Sequence, residues 1–120
     1  MTNINYQIVS MMLEPLSKYA DLIQDGYAIA IYTAEGKVYT YKAEKNIEDE
    51  HERIYSDIRS NLKDSIHYIV CVRGKKMTVD IPPYHLRKKI CEINEKNYEA
   101  KIIMQGMNEY HLKMMRDTLL

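Results

Sequence analysis

The chain has 120 residues, 46% hydrophobic and 28% charged, which is room for one globular domain and too apolar for a disordered chain. Its formal net charge is +0 at pH 7, which excludes a global basic bias toward nucleic acid. The charge is unevenly spread: residues 1–70 carry 7 Lys+Arg against 11 Asp+Glu, and residues 71–120 carry 10 against 6.

From Tyr6 to Gln24, Ile8, Met12, Leu16, Tyr19 and Ile23 recur at helical spacing. Pro15 lies mid-way, so either the helix kinks there or Pro15 starts a second helix at its first position. Asp25-Gly26 closes the element, with Gly26 expected as a left-handed cap. Tyr27 to Ala43 then reads as a β-hairpin turning at Glu35-Gly36. Glu44 to Glu52 is acidic, as suits the start of a helix, where carboxylates complement the positive end of the dipole. Ile47, Ile54, Ile58 and Leu62 mark the buried stripe of that helix.

A second hairpin runs from His67 to Ile81 and turns at Gly74. Apolar residues on both faces of its first strand predict a central position in a sheet. Pro82-Pro83 pre-sets the next helix, with Leu86, Ile90 and Ile93 inward and Arg87, Lys88 and Lys89 outward. Tyr98 to Gln105 alternates as a strand does, although the same letters also fit a helix. After Gly106, Leu112, Met115 and Leu119 predict a closing helix. The expected fold is one α+β domain spanning residues 1–120. It has an N-terminal helix, two ββα units and a β-α tail, built on a mostly antiparallel sheet of four or five strands with helices covering one face.

The residues of chemical interest are scattered. His51, His67, His85 and His111 stand singly, with no HExxH and no zinc-ligand spacing. Glu48 and His51 are neighbours one helical turn apart, but no third metal ligand is evident. His67 and Cys71 share a strand face, yet at about 3.3 Å per residue they lie too far apart for a nucleophile couple. Asp80 and His85 form the best acid–base pair that spacing suggests. No GxxxxGK[ST], GxGxxG or GxSxG occurs. The sequence therefore predicts no enzyme, no catalytic residue, no metal and no cofactor.

Cys71 and Cys91, without a CxxC, together with a first segment MTNINYQ that lacks a basic, apolar leader, point to a reducing cytoplasm and no membrane. Eleven Tyr, no Phe and eight Met suggest adaptable contact surfaces. The leading expectation is a non-catalytic protein that masks a protein partner: a small inhibitor, immunity protein or adaptor. A narrower version places it on a mobile element and aims it at a host nuclease or toxin. The alternative is a nucleic-acid module using Arg73, Lys75, Lys76, Arg87, Lys88 and Lys89, with Tyr84 beside them. A homodimer through a hairpin edge or the last helix fits either reading.

Overall fold

The computed structural model describes residues 5–119, so the expectation about a leader falls partly outside the described residues. Helix α1 spans Tyr6–Leu13, and the Asn5 side chain caps it by accepting from the backbone of Gln7 at 3.0 Å. Pro15 does not kink this helix. It lies in the first turn of a separate 3₁₀ helix, Glu14–Tyr19, where its missing N–H costs nothing. Gly26 is not a left-handed cap either; its φ is not positive. A Cβ there would run into the Ala43 carbonyl oxygen, so the residue is small because another backbone crosses it.

Strands β1 (Tyr27–Thr33) and β2 (Val38–Ala43) form the first hairpin, and Gly36 supplies the positive φ of its turn. Helix α2 (Glu48–Asn61) follows. Ile47 stands at its cap, about half exposed, rather than in the buried stripe. Strands β3 (Ile66–Arg73) and β4 (Thr78–Asp80) make the second hairpin, ahead of helix α3 (Tyr84–Ile93). A 3₁₀ helix, Glu95–Glu99, leads into β5 (Lys101–Gln105).

The expected closing helix is instead a strand, β6 (Tyr110–Met114), followed by a 3₁₀ turn at Met115–Thr118. Tyr110, Leu112 and Met114 alternate with the exposed His111 and Lys113, and this period of two prevails over the helical spacing of Leu112, Met115 and Leu119. The tail is therefore β-β.

The sheet is mixed, ordered β2-β1-β3-β5-β6, with β4 also paired to β3. All pairings are antiparallel except β3–β5, where Ile69 faces Ile102. The crossover from β3 to β5 passes through α3, as a parallel pair requires. The α+β class and the central place of β3 agree with the sequence reading.

Helices cover both faces of the sheet, not one. On one side Tyr27, Ile29, Ile31, Ile69 and Ile102 pack against Ile54 and Ile58 of α2 and Leu86 and Ile90 of α3. On the other, Ala28, Ala30, Val70 and Val72 pack against Val9, Met12 and Leu16. The small alanines let the N-terminal helices approach the sheet. Each fully buried Leu or Ile contributes about 1.5–3 kcal/mol through area removed from water. Asn97, fully buried, ties the layers together: it accepts from the Ile66 backbone at 2.8 Å and donates to the Ile90 carbonyl at 3.0 Å. No helix among the described residues is long and apolar enough to cross a membrane.

Candidate active site

Helices α2 and α3 lie side by side on one face of the sheet, and the start of α2 meets the start of α3. Glu48 and Glu52 are one turn apart on α2 and so share a face. His85 is the second residue of α3. Its Nε2 lies 2.6 Å from Oε1 of Glu52. One ligand atom from each of Glu48, Glu52 and His85 falls within 4.8 Å of the others. Glu52 and His85 are half-buried and Glu48 is exposed, so the trio opens to solvent.

The environment holds Glu52 ionised. The hydrogen bond from His85 pulls its carboxyl below the usual carboxylate range, and Lys89, with Nζ at 4.0 Å, acts in the same direction. Behind the trio, the buried His51 is fixed to the sheet: its Nδ1 lies 2.6 Å from the Tyr27 hydroxyl. Burial pushes the His51 pKa down and that of the Tyr27 phenol up, so both groups are neutral and share one hydrogen bond. Arg53 closes the flank, donating to Glu50 at 2.8 Å and to the Lys42 carbonyl. The first turn of α2 is thereby pinned to β1 and β2, and the directions of Glu48 and Glu52 are set with it.

The structure rearranges the residues singled out by sequence. Asp80 and His85 are not a pair: Asp80 binds Arg73 at 2.9 Å, while His85 turns to Glu52. His51, paired with Glu48 by spacing alone, points into the core, and Glu52 takes its place. The six basic residues do not form one face. Arg73 is engaged by Asp80, and Lys75 and Lys76 stand exposed on the β3–β4 turn. Arg87, expected outward, is only 7% exposed and donates to the carbonyls of Pro82 (2.8 Å) and Thr118 (2.7 Å). Lys88 lines a hollow with Tyr84, Tyr98 and Arg116, whereas Lys89 leans to Glu52 and over the Tyr55 ring. The trio itself was missed because Glu52 and His85 are 33 residues apart in sequence; the signal present was the Glu48–Glu52 spacing ahead of a His in the next helix start.

No protein-family model and no curated protein matches the sequence. Solved structures do match the fold. Cytidine deaminase from Mycobacterium leprae aligns over 98% of this chain and 98% of its own, with a TM-score of 0.66 at 12% identity. A point mutant of cytidine deaminase from Mycobacterium tuberculosis gives 0.68 at 13% identity, over 98% and 93% of the two chains. The same Mycobacterium tuberculosis enzyme without a substitution gives 0.64 at 12%, over 98% and 95%. At such identities the likeness establishes the fold, which this chain shares with these cytidine deaminases over 98% of its length. This overturns the expectation of a non-catalytic inhibitor, immunity protein or adaptor, and with it the reading that the chain is no enzyme. The expectation rested on missing motifs, whereas helix packing brings Glu48, Glu52 and His85 together without one.

Zinc deaminases hold their metal on a His or Cys placed before a Glu and on two cysteines after a Pro, in the pattern H-x-E…P-C-x-x-C. Neither half occurs here. Cys71 and Cys91 are buried, and burial pushes their thiols up to about 12 and about 11, far from the thiolate a metal needs. A thiolate-held zinc does not fit this chain. Two carboxylates and an imidazole are a different set, with the three protein donors and open side that catalytic divalent metals use.

Proposed function

We propose that the chain is a hydrolytic enzyme of the deaminase type, acting on the amino group of a cytosine-like ring, with Glu48, Glu52 and His85 as its working site. The observation that carries this reading is the meeting of these three side chains at two adjoining helix starts, on a chain whose fold matches cytidine deaminases end to end. In such a reaction the oxygen of water bonds to the ring carbon bearing the amine, the C–N bond breaks, and ammonia leaves; nothing is oxidised or reduced. A divalent metal on the trio supplies the Lewis acidity that makes water a nucleophile near neutral pH.

The protein's own part is positioning. The Tyr27–His51 bond anchors the first turn of α2, and the α2–α3 packing brings His85 to Glu52. Lys89 favours the ionised Glu52 that a cation requires. The exposed Glu48 leaves the site reachable by a small molecule. Two free, buried cysteines suit the cytoplasmic setting expected from the sequence, which this reading retains.

The test is ammonia release from cytidine and deoxycytidine after loading the protein with zinc or manganese. We expect metal-dependent turnover that a chelator abolishes, and a loss of roughly a hundredfold or more in E52Q and in H85A. Absence of turnover with metal bound, or full activity in both variants, overturns the reading.

A further inference from the structure

Between α3 and β6 lies a cavity of about 400 Å³, whose lining includes Ile81, Arg87, Leu112, Lys113, Asp117 and Thr118. Arg87 is its unusual wall. More than nine-tenths of this residue is buried, yet no carboxylate of the described residues pairs with it. Its partners are two backbone carbonyls and the face of Tyr84, 5.3 Å from the ring centre. Burying a charge without an opposite charge is expensive.

Its position adds to the cost. Arg87 stands in the first turn of the ten-residue helix α3, where the dipole is positive, and that turn has neither an acidic residue nor a side-chain cap. Lys113, exposed on β6, lines the same cavity and adds a second cation. Asp117 is the single acidic group in the lining. The two cations line one cavity from α3 and β6, and the planar fork of a guanidinium suits phosphate oxygens.

We propose that this cavity binds a phosphate group on Arg87 and Lys113, at a site separate from Glu48, Glu52 and His85. His85 and Arg87 are two positions apart on α3, so they project about 200° from each other around the helix. A phosphate there compensates the buried guanidinium and meets the uncompensated start of α3. The phosphate group arrives either as the free ion or attached to a nucleoside.

Calorimetric titration of the whole protein with inorganic phosphate, cytidine monophosphate and cytidine tests this and separates the two sources. We expect saturable one-to-one binding of phosphate or of the monophosphate, weakened roughly tenfold or more in K113E and strengthened in D117N. Tighter binding of the monophosphate than of phosphate assigns the site to a nucleotide, and equal binding assigns it to the free ion. Lys113 and Asp117 are on the surface, so both variants keep the fold, which circular dichroism checks; R87M is the harsher version. No saturable binding of either phosphate compound, or binding unaltered in both K113E and D117N, overturns the proposal. The titration reads binding without turnover and without metal, so its failure leaves the deaminase reading standing, and the reverse also holds.

Discussion

The first turns of α2 and α3 differ in how they handle charge. The first turn of α2 carries Glu48, Asp49 and Glu50, which complement the helix dipole without help. The first turn of α3 carries no acid, and instead places the buried Arg87 and the half-buried His85 at the positive end of the helix. The first turn of α2 supplies Glu48 to the trio and the next turn supplies Glu52; the basic start of α3 supplies the imidazole on one side and a cation on the other. Neither helix makes a site alone. Their packing puts the acidic start of one against the imidazole of the other.

Substitutions at the two helix starts test this difference. The largest effect is expected at Glu52. E52Q removes a charge from the trio but no packed surface, so activity falls by roughly a hundredfold or more while stability in urea changes by less than about 1 kcal/mol. A parallel loss of stability in that denaturation curve would mark Glu52 as a structural residue instead. R87M comes next. It strands the Pro82 and Thr118 carbonyls, at a cost of about 1–3 kcal/mol, seen as a lower urea midpoint with an unchanged slope.

Y27F follows. It removes the hydroxyl that shares a hydrogen bond with Nδ1 of the buried His51, costing about 1–2 kcal/mol and lowering activity through a less firmly held α2 start. The smallest is R53A. The exposed Arg53–Glu50 and Arg53–Asp57 pairs are worth less than about 1 kcal/mol together, and that difference shrinks in high salt. The thiols give a control away from both helix starts. Cys71 and Cys91 are buried and raised to about 12 and about 11, so labelling by a disulfide reagent at pH 8 should follow global unfolding. Fast labelling of the native protein would show that the core opens where this structure closes it.

Much of the fold was legible because local chemistry and burial agree. Gly36 and Gly74 mark hairpin turns by their positive φ, and the apolar run Tyr68–Val72 marks the central strand. The tail was not legible, since Leu112 and Met115 satisfy a helical period while Tyr110, Leu112 and Met114 satisfy a strand period. The choice is made by pairing with β5, where Leu112 faces Ile103, a contact that no local window contains. The expectation that helices cover one face failed for a similar reason: Ala28 and Ala30 mark a face that a helix can approach closely, but not that α1 lies opposite α2 and α3.

The site was less legible than the fold. Glu48 and Glu52 were visible as part of an acidic helix start, which has an ordinary explanation in the dipole. His85 was visible as a lone histidine. Only the packing of α3 against α2 joins them, and that packing is set by Ile54, Ile58, Leu86 and Ile90, residues that carry no functional signal themselves. Arg87 was misread because Arg next to two lysines reads as a solvated face, whereas the fold turns its guanidinium inward.

The most direct measurement is crystallographic: an anomalous difference map from crystals grown with zinc or manganese. The account predicts one strong peak roughly 2.0–2.2 Å from a carboxylate oxygen of Glu48, one of Glu52 and Nε2 of His85. A peak bound to other residues, or an empty trio at saturating metal, contradicts it.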